Sequence, residues 1–205
     1  MVKRQADAAK GGARAARKPR AASPRPGRAT TPPPPELPVR IGVISDTHGY
    51  MDPVVLEIFA GVTHIIHAGD IVDPEILAAL ETVAPVTAVS GNIDGAELVE
   101  RLPREVAGEI GGVRFVVGHK RRRLMKRLAA GKIALDPPGP PDVVIFGHEH
   151  VPSAVWLDGT LMLNPGTASS PEEEDDGPTV AILDVAPTGL AVRFVPLKRR
   201  QGAEA

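Results

Sequence analysis

Five apolar runs punctuate the chain: Val39 to Ser45, His64 to Ala68, Val86 to Ser90, Val113 to Val117 and Val143 to Phe146. They are continuous rather than alternating, which is the pattern of strands buried on both faces of an α/β sheet. Between them, Pro53 to Ala60, Pro74 to Val83 and Leu124 to Ala130 read as helices. Proline occupies the first turn of two of these and Gly131 lies just past the third. Asp52, directly before Pro53, reads as a helix cap. After His150 the pattern changes to hairpins. Asp158-Gly159 forms a two-residue turn between apolar runs, and Thr179 to Val185 is expected to pair with Leu190 to Pro196. The sequence therefore predicts an α/β first half and a β-rich second half.

What ends each of the five runs matters more than the runs themselves. They stop at Asp46-Thr47-His48, Gly69-Asp70, Gly91-Asn92-Ile93-Asp94, Gly118-His119 and Gly147-His148-Glu149-His150. Ligands of open α/β sheets bind beyond the carboxyl ends of the strands, so the clusters should meet. Glycine precedes Asp70, Asn92, His119 and His148, which suits a chain turning sharply out of a sheet or approaching a neighbour closely. In an extended segment, side chains at i and i+2 share a side, so Asp46 with His48 and His148 with His150 can each project two donors into one cavity. Asp46, His48, Asp70, Asn92, His119, His148 and His150 exceed what one tetrahedral ion needs and suit two ions better. His64 and His67, inside a strand, read as structural.

The ordered set Asp-x-His, Gly-Asp, Gly-Asn-x-Asp, Gly-His, Gly-His-x-His resembles the calcineurin-like metallophosphoesterases. The short chain and the segment Asn164-Pro165-Gly166-Thr167 resemble the small YfcE-type phosphodiesterase branch in particular, over about Val39 to Pro196. The resemblance implies two packed mixed β-sheets flanked by helices, an αββα sandwich. It also implies a first metal held by Asp46, His48, Asp70 and His150. Asp70 would bridge to a second metal completed by Asn92, His119 and His148, with Asn92 also the candidate catalytic residue. A metal-activated water would then hydrolyse a phosphoester, most naturally a phosphodiester. Mixed N/O ligation admits Mn, Fe, Ni, Co or Zn, with Mn the first expectation.

The chain departs from the family at three places. Ile93 stands where protein phosphatases carry a His that protonates the leaving group; the YfcE branch also lacks that His, and Asp94 remains as a supporting residue. Lys120 stands where the branch has Gly, and Arg121, Arg122 and Arg123 follow it. The acidic run Glu172 to Asp176 falls in a loop where relatives often carry a basic residue. Lys120 to Arg127 reads either as a solvated helix face or as a contact to phosphates flanking the scissile bond, and the three arginines cannot all face one way. Two other readings stand beside the phosphodiesterase. One is a non-catalytic metal-binding scaffold of the same fold. The other is a phosphatase or pyrophosphohydrolase with a specialised nucleotide or lipid-linked substrate.

Composition divides the chain. Met1 to Pro38 holds nine Lys and Arg against Asp7 and Glu36, giving +7, while the remaining 15 basic and 23 acidic residues give −8. This arm is Pro- and Ala-rich with almost no large apolar residue, so it is expected to be disordered and capable of weak contact with polyanions. Residues 39–196 form the expected single domain, followed by a flexible tail at 197–205. No secretory signal or run of ~20 apolar residues is read. The absence of cysteine excludes disulfides and thiolate metal sites and fits a cytoplasmic protein. The expected partner is a phosphoester substrate, such as a nucleotide, with self-association left open.

Overall fold

The computed structural model describes residues 39–169 and 177–197. The basic arm, the acidic run Glu172 to Asp176 and the chain beyond Leu197 lie outside the described residues. Among the described residues, ten strands form two five-stranded sheets. The first has the order β10 (Gly189–Pro196), β9 (Thr179–Ala186), β1 (Val39–Ile44), β2 (His64–His67), β3 (Val86–Ala88). The second runs β4 (Glu105–Ile110), β5 (Val113–Gly118), β6 (Val143–Ile145), β8 (Thr160–Asn164), β7 (Ser153–Leu157). In the first sheet β1, β2 and β3 are mutually parallel and β9 and β10 antiparallel; in the second β5, β6 and β8 are parallel, with antiparallel β4 and β7 at the edges.

Continuous apolarity has a direct cause, because the inner strands of both sheets are covered on both faces. Ile41 and Val43 of β1 pack with Phe115, Val117, Val143 and Ile145 between the sheets. The alternate residue Ile44 faces Val55, Phe59, Leu77 and Leu80, from α1 (Val54–Ile58) and α2 (Glu75–Glu81) and the residues beside them. On the far side, Val116, Val144 and Phe146 pack against Leu124 of α4 (Arg121–Ala129). Gly42 marks a close approach: a Cβ there would lie 3.0 Å from the Phe59 ring, so glycine lets α1 settle onto β1.

The helix signals hold with shifts of a turn or less. Asp52 Oδ1 accepts from Val54 N–H at 2.9 Å and caps α1 as its position suggested. The helix expected from Leu124, α4, starts earlier, at Arg121. Both expected hairpins form, and Asp158 and Gly159 adopt φ of 49° and 83° as a two-residue turn with both φ positive requires. Two elements carry no clear sequence signal, α3 (Ala96–Arg101) and strand β4, which pairs with β5 across Gly111-Gly112. Leu197, assigned to the tail, is buried and donates its N–H to Pro178 O at 2.7 Å.

Candidate metal centre

The parallel strands end on one side of the molecule, and there the five polar clusters converge. The loops after β1 and β2 run side by side: Asp46 N–H donates to Gly69 O and His48 N–H to Asp70 O, both at 3.0 Å. The second sheet joins them through His148 N–H, which donates to Asp46 Oδ2 at 3.0 Å. Two groups of ligand atoms result, Asp46 with His48 and His150, and Asp70 with His119 and His148. The two imidazoles of His-x-His thus divide between the groups, as the resemblance implies. Both i, i+2 pairs reach the centre, but through left-handed turns and not through an extended segment.

Five of the seven candidates have left-handed backbone, with φ of 56° at Asp46, 49° at His48, 54° at Asp70, 70° at His148 and 55° at His150. Among the described residues only Val72 and Asp158 join them as non-glycine residues with positive φ. This conformation is disfavoured for L-residues and clusters where surrounding structure over-determines it. The surroundings here do so. Asp94 accepts three backbone N–H groups, from Ile71 and Val72 on Oδ1 at 2.6 and 2.7 Å and from Gly91 on Oδ2 at 2.7 Å. Thr167 and Ser169 hydroxyls both donate to Asp46 O at 2.9 Å. Thr167 belongs to the Asn-Pro-Gly-Thr segment noticed in the sequence. Ser169 carried no signal there, since a lone serine in a loop has none.

The central contacts are carboxylate to imidazole. Asp46 Oδ1 lies 3.3 Å from His150 Nε2 and 3.7 Å from His48 Nε2. Asp70 Oδ2 lies 3.1 Å from His119 Nε2 and 3.9 Å from His48 Nε2, so one carboxylate oxygen faces both groups. Asp70 Oδ1 accepts the N–H groups of Asn92 at 2.6 Å and Ile93 at 3.0 Å. Asn92 is exposed and, with His119, lines a cavity of about 40 Å³ beside the second group.

Electrostatics follow from this packing. Burial pushes the Asp70 carboxyl up, but His119 and the two backbone donors outweigh it and hold it down at about 2. Asp46 is likewise carried below the ordinary range, against its burial, by His48, Ser45, His119 and the His148 N–H. The Asp46 carboxylate raises His48; His119, opposed by its own burial, is raised by the two aspartates. His148 is lowered by burial and by the positive charge of Lys120 and His119. His67 is fully buried, and desolvation lowers it to about 4. Its Nδ1 accepts from Gly69 N–H at 3.2 Å, which leaves Nε2–H for Thr47 Oγ1 at 3.2 Å. His64 Nε2 pairs with Thr87 Oγ1 at 2.8 Å. His64 thus pairs within its sheet, while His67 braces the loops that carry Asp46, His48 and Asp70.

Buried Asp46 Oδ1 and His119 Nε2 have no hydrogen-bond partner among the described residues, and they lie 4.0 Å apart. Orphaned buried polar atoms call for an explanation, and acceptors ringed by carboxylate and imidazole fit divalent cations. Residues 39–188 match the family model described as the calcineurin-like phosphoesterase superfamily domain. The chain belongs to this superfamily. It is 37% identical over 153 residues to a probable metallophosphoesterase of Methanothermobacter thermautotrophicus, covering 71% of this chain and 85% of the relative. It is 29% identical over 162 residues to a phosphodiesterase of Methanocaldococcus jannaschii, covering 71% and 93% respectively. Among solved structures, Vps29 from Entamoeba histolytica complexed with Zn²⁺ shares the fold at 20% identity and a TM-score of 0.57, covering 77% of this chain and 98% of that one. The calcineurin-like chain is thus a phosphoesterase with two groups of candidate metal ligands, and no described helix is long and apolar enough to cross a membrane.

Proposed function

We propose that the protein is a dinuclear-metal phosphodiesterase. One ion would be held by Asp46, His48, Asp70 and His150, and the other by Asp70, Asn92, His119 and His148. The observation that carries this reading is Asp70 Oδ2, a single carboxylate oxygen facing His119 on one side and His48 on the other. Two divalent ions there, Mn²⁺ first among the candidates, would lower the pKa of a coordinated water toward about 7 and offset charge on the phosphoryl oxygens. The chain's own residues fix the rest. Asp94, Thr167 and Ser169 hold the ligand loops in their left-handed turns, and the depressed Asp70 and Asp46 carboxyls stay ionised through neutral pH.

Specificity for diesters rests on Ile93, an exposed aliphatic side chain beside Asn92 that can donate no proton to a departing alkoxide. Tyr50, Val72 and Val151, each within two residues of a candidate ligand, are also exposed and offer apolar surface to a leaving group. Activated aryl diesters should therefore be cleaved faster than alkyl phosphomonoesters. The test is metal analysis of the purified protein, followed by kcat/KM for bis(p-nitrophenyl) phosphate and for an alkyl monoester with Mn²⁺, before and after chelation. Undiminished turnover in the thoroughly chelated protein sinks the metal assignment, and a preference for the alkyl monoester sinks the diester assignment.

A further inference from the structure

The first group of cations outside the centre begins one residue past His119. Lys120 caps α4, and the helix has neither an acidic residue in its first turn nor a side-chain cap. Three arginines fill that turn instead, opposite to what the helix dipole favours. Arg121 turns away, its guanidinium 5.5 Å from the centre of the Phe146 ring. The others gather. Lys120, Arg122, Arg123, Lys126 and Arg127 alone line an open groove of about 520 Å³.

One carboxylate answers this cluster. Glu105 Oε1 lies 2.9 Å from Arg123 Nε and Glu105 Oε2 lies 3.2 Å from Arg127 Nε. Lys120, Arg122, Lys126 and the neighbouring Arg104 have no ion-pair partner among the described residues. The groove leads to the centre through shared residues, because Lys120 and Arg123 also line the 40 Å³ cavity that contains Asn92, His119 and Arg104.

We infer that the substrate carries a second phosphate next to the scissile phosphodiester, and that Arg104, Lys120 and Arg123 receive it while the scissile group lies at the metals. This rests on the phosphodiesterase reading and narrows it to nucleotide-like substrates with successive phosphates. The second phosphate is either a terminal monoester or the next linkage of a chain. Arg123 keeps a guanidinium edge for it, since Glu105 engages only Nε.

The test compares the dinucleotide TpT with pTpT, which adds a terminal phosphate, and with TpTpT, which adds an internal one. Full-length protein with Mn²⁺ should turn over pTpT, TpTpT or both with kcat/KM about tenfold above TpT, the scale of one charge-assisted hydrogen bond. The double substitution Arg104→Gln/Lys120→Gln should remove that preference, whereas Arg121→Gln should keep it. Moving from low salt to ~0.5 M should shrink the preference in the parent protein, as screening predicts. Which trinucleotide or dinucleotide gains identifies the source of the phosphate. Fluorescence anisotropy of labelled TpT, pTpT and TpTpT on the chelated protein reads the pocket without turnover, and bis(p-nitrophenyl) phosphate reads the chemistry without the pocket. Inactivity toward that aryl diester with pTpT binding intact would separate failure of the phosphodiesterase reading from failure of this one. Equal handling of all three nucleotides in both assays, or a preference that survives the double substitution, overturns the inference.

Discussion

Gly91→Ala tests how tightly the centre is built. A Cβ at Gly91 would overlap the Asp70 Oδ1 and backbone N and lie 2.7 Å from Asp70 Cγ. The carboxylate cannot swing aside freely, because Oδ1 is held by the Asn92 and Ile93 N–H groups at 2.6 and 3.0 Å. Leaving both costs about 3–6 kcal/mol, taking ~1.5–3 kcal/mol for each hydrogen bond to a charged group. If the backbone yields instead, overpacking costs ~1–3 kcal/mol, and Gly91 N–H is drawn off Asp94 Oδ2. Retreat toward Gly69 is blocked, since the two glycines face one another closely; a Cβ on Gly69 would lie 3.0 Å from Gly91 Cα. The least costly path is thus about 2 kcal/mol or more, a drop in Tm of roughly 4–8 °C for a chain of this size. Every path moves Asp70, so bound Mn²⁺ should fall with it. The comparison is Gly95→Ala, where φ is −68° and a Cβ meets nothing within 4 Å; as a helix N-cap it should cost under about 1 kcal/mol. Differential scanning calorimetry and elemental analysis on both variants decide the matter. If Gly91→Ala keeps its metal and loses no more Tm than Gly95→Ala, the close packing around Asp70 is not what positions it.

Two further outcomes follow from the same geometry. His48 has φ 49°, so in metal-free protein His48→Gly should be more stable than His48→Ala by about 1 kcal/mol; urea unfolding that ranks alanine higher contradicts the strain argument. For His67, held at about 4 when folded against an ordinary 6.5, the unfolded chain binds more protons between those values, so its contribution to stability is lost as pH falls from 6.5 toward 4. Chelated wild type should therefore lose about 2 kcal/mol more than His67→Gln on going from pH 7 to pH 5; matching losses would mean that His67 takes up its proton in the folded state.

The fold was legible wherever burial on both faces wrote itself as an unbroken apolar run, as in β1, β2, β5 and β6. It was illegible at β4, whose Glu-Val-Ala-Gly-Glu-Ile is half polar because it lies on a sheet edge and is only partly buried. The short α3, six residues with only Leu98 buried, gave too little periodicity to read. At the site, strand-end position was enough to bring Asp46, His48, Asp70, His119, His148 and His150 together. The division of His148 from His150 came only from the family resemblance, because it depends on left-handed turns that no spacing rule encodes. The roles of Thr167 and Ser169 were hidden for another reason. They act through the backbone carbonyl of Asp46, a contact between residues more than a hundred positions apart.

The left-handed backbone at five ligand positions also bears on what keeps those residues in place. Judged by backbone strain alone, glycine would serve better than histidine at 48, 148 and 150, one relaxed turn at a time. Asp46 and Asp70 differ, because their carboxylates also accept backbone N–H groups that glycine would leave unanswered. An idle copy of this fold would therefore lose its three turn histidines to glycine before it lost either aspartate, and the decay of its chemistry would be recorded at the sheet edge before any strand was lost.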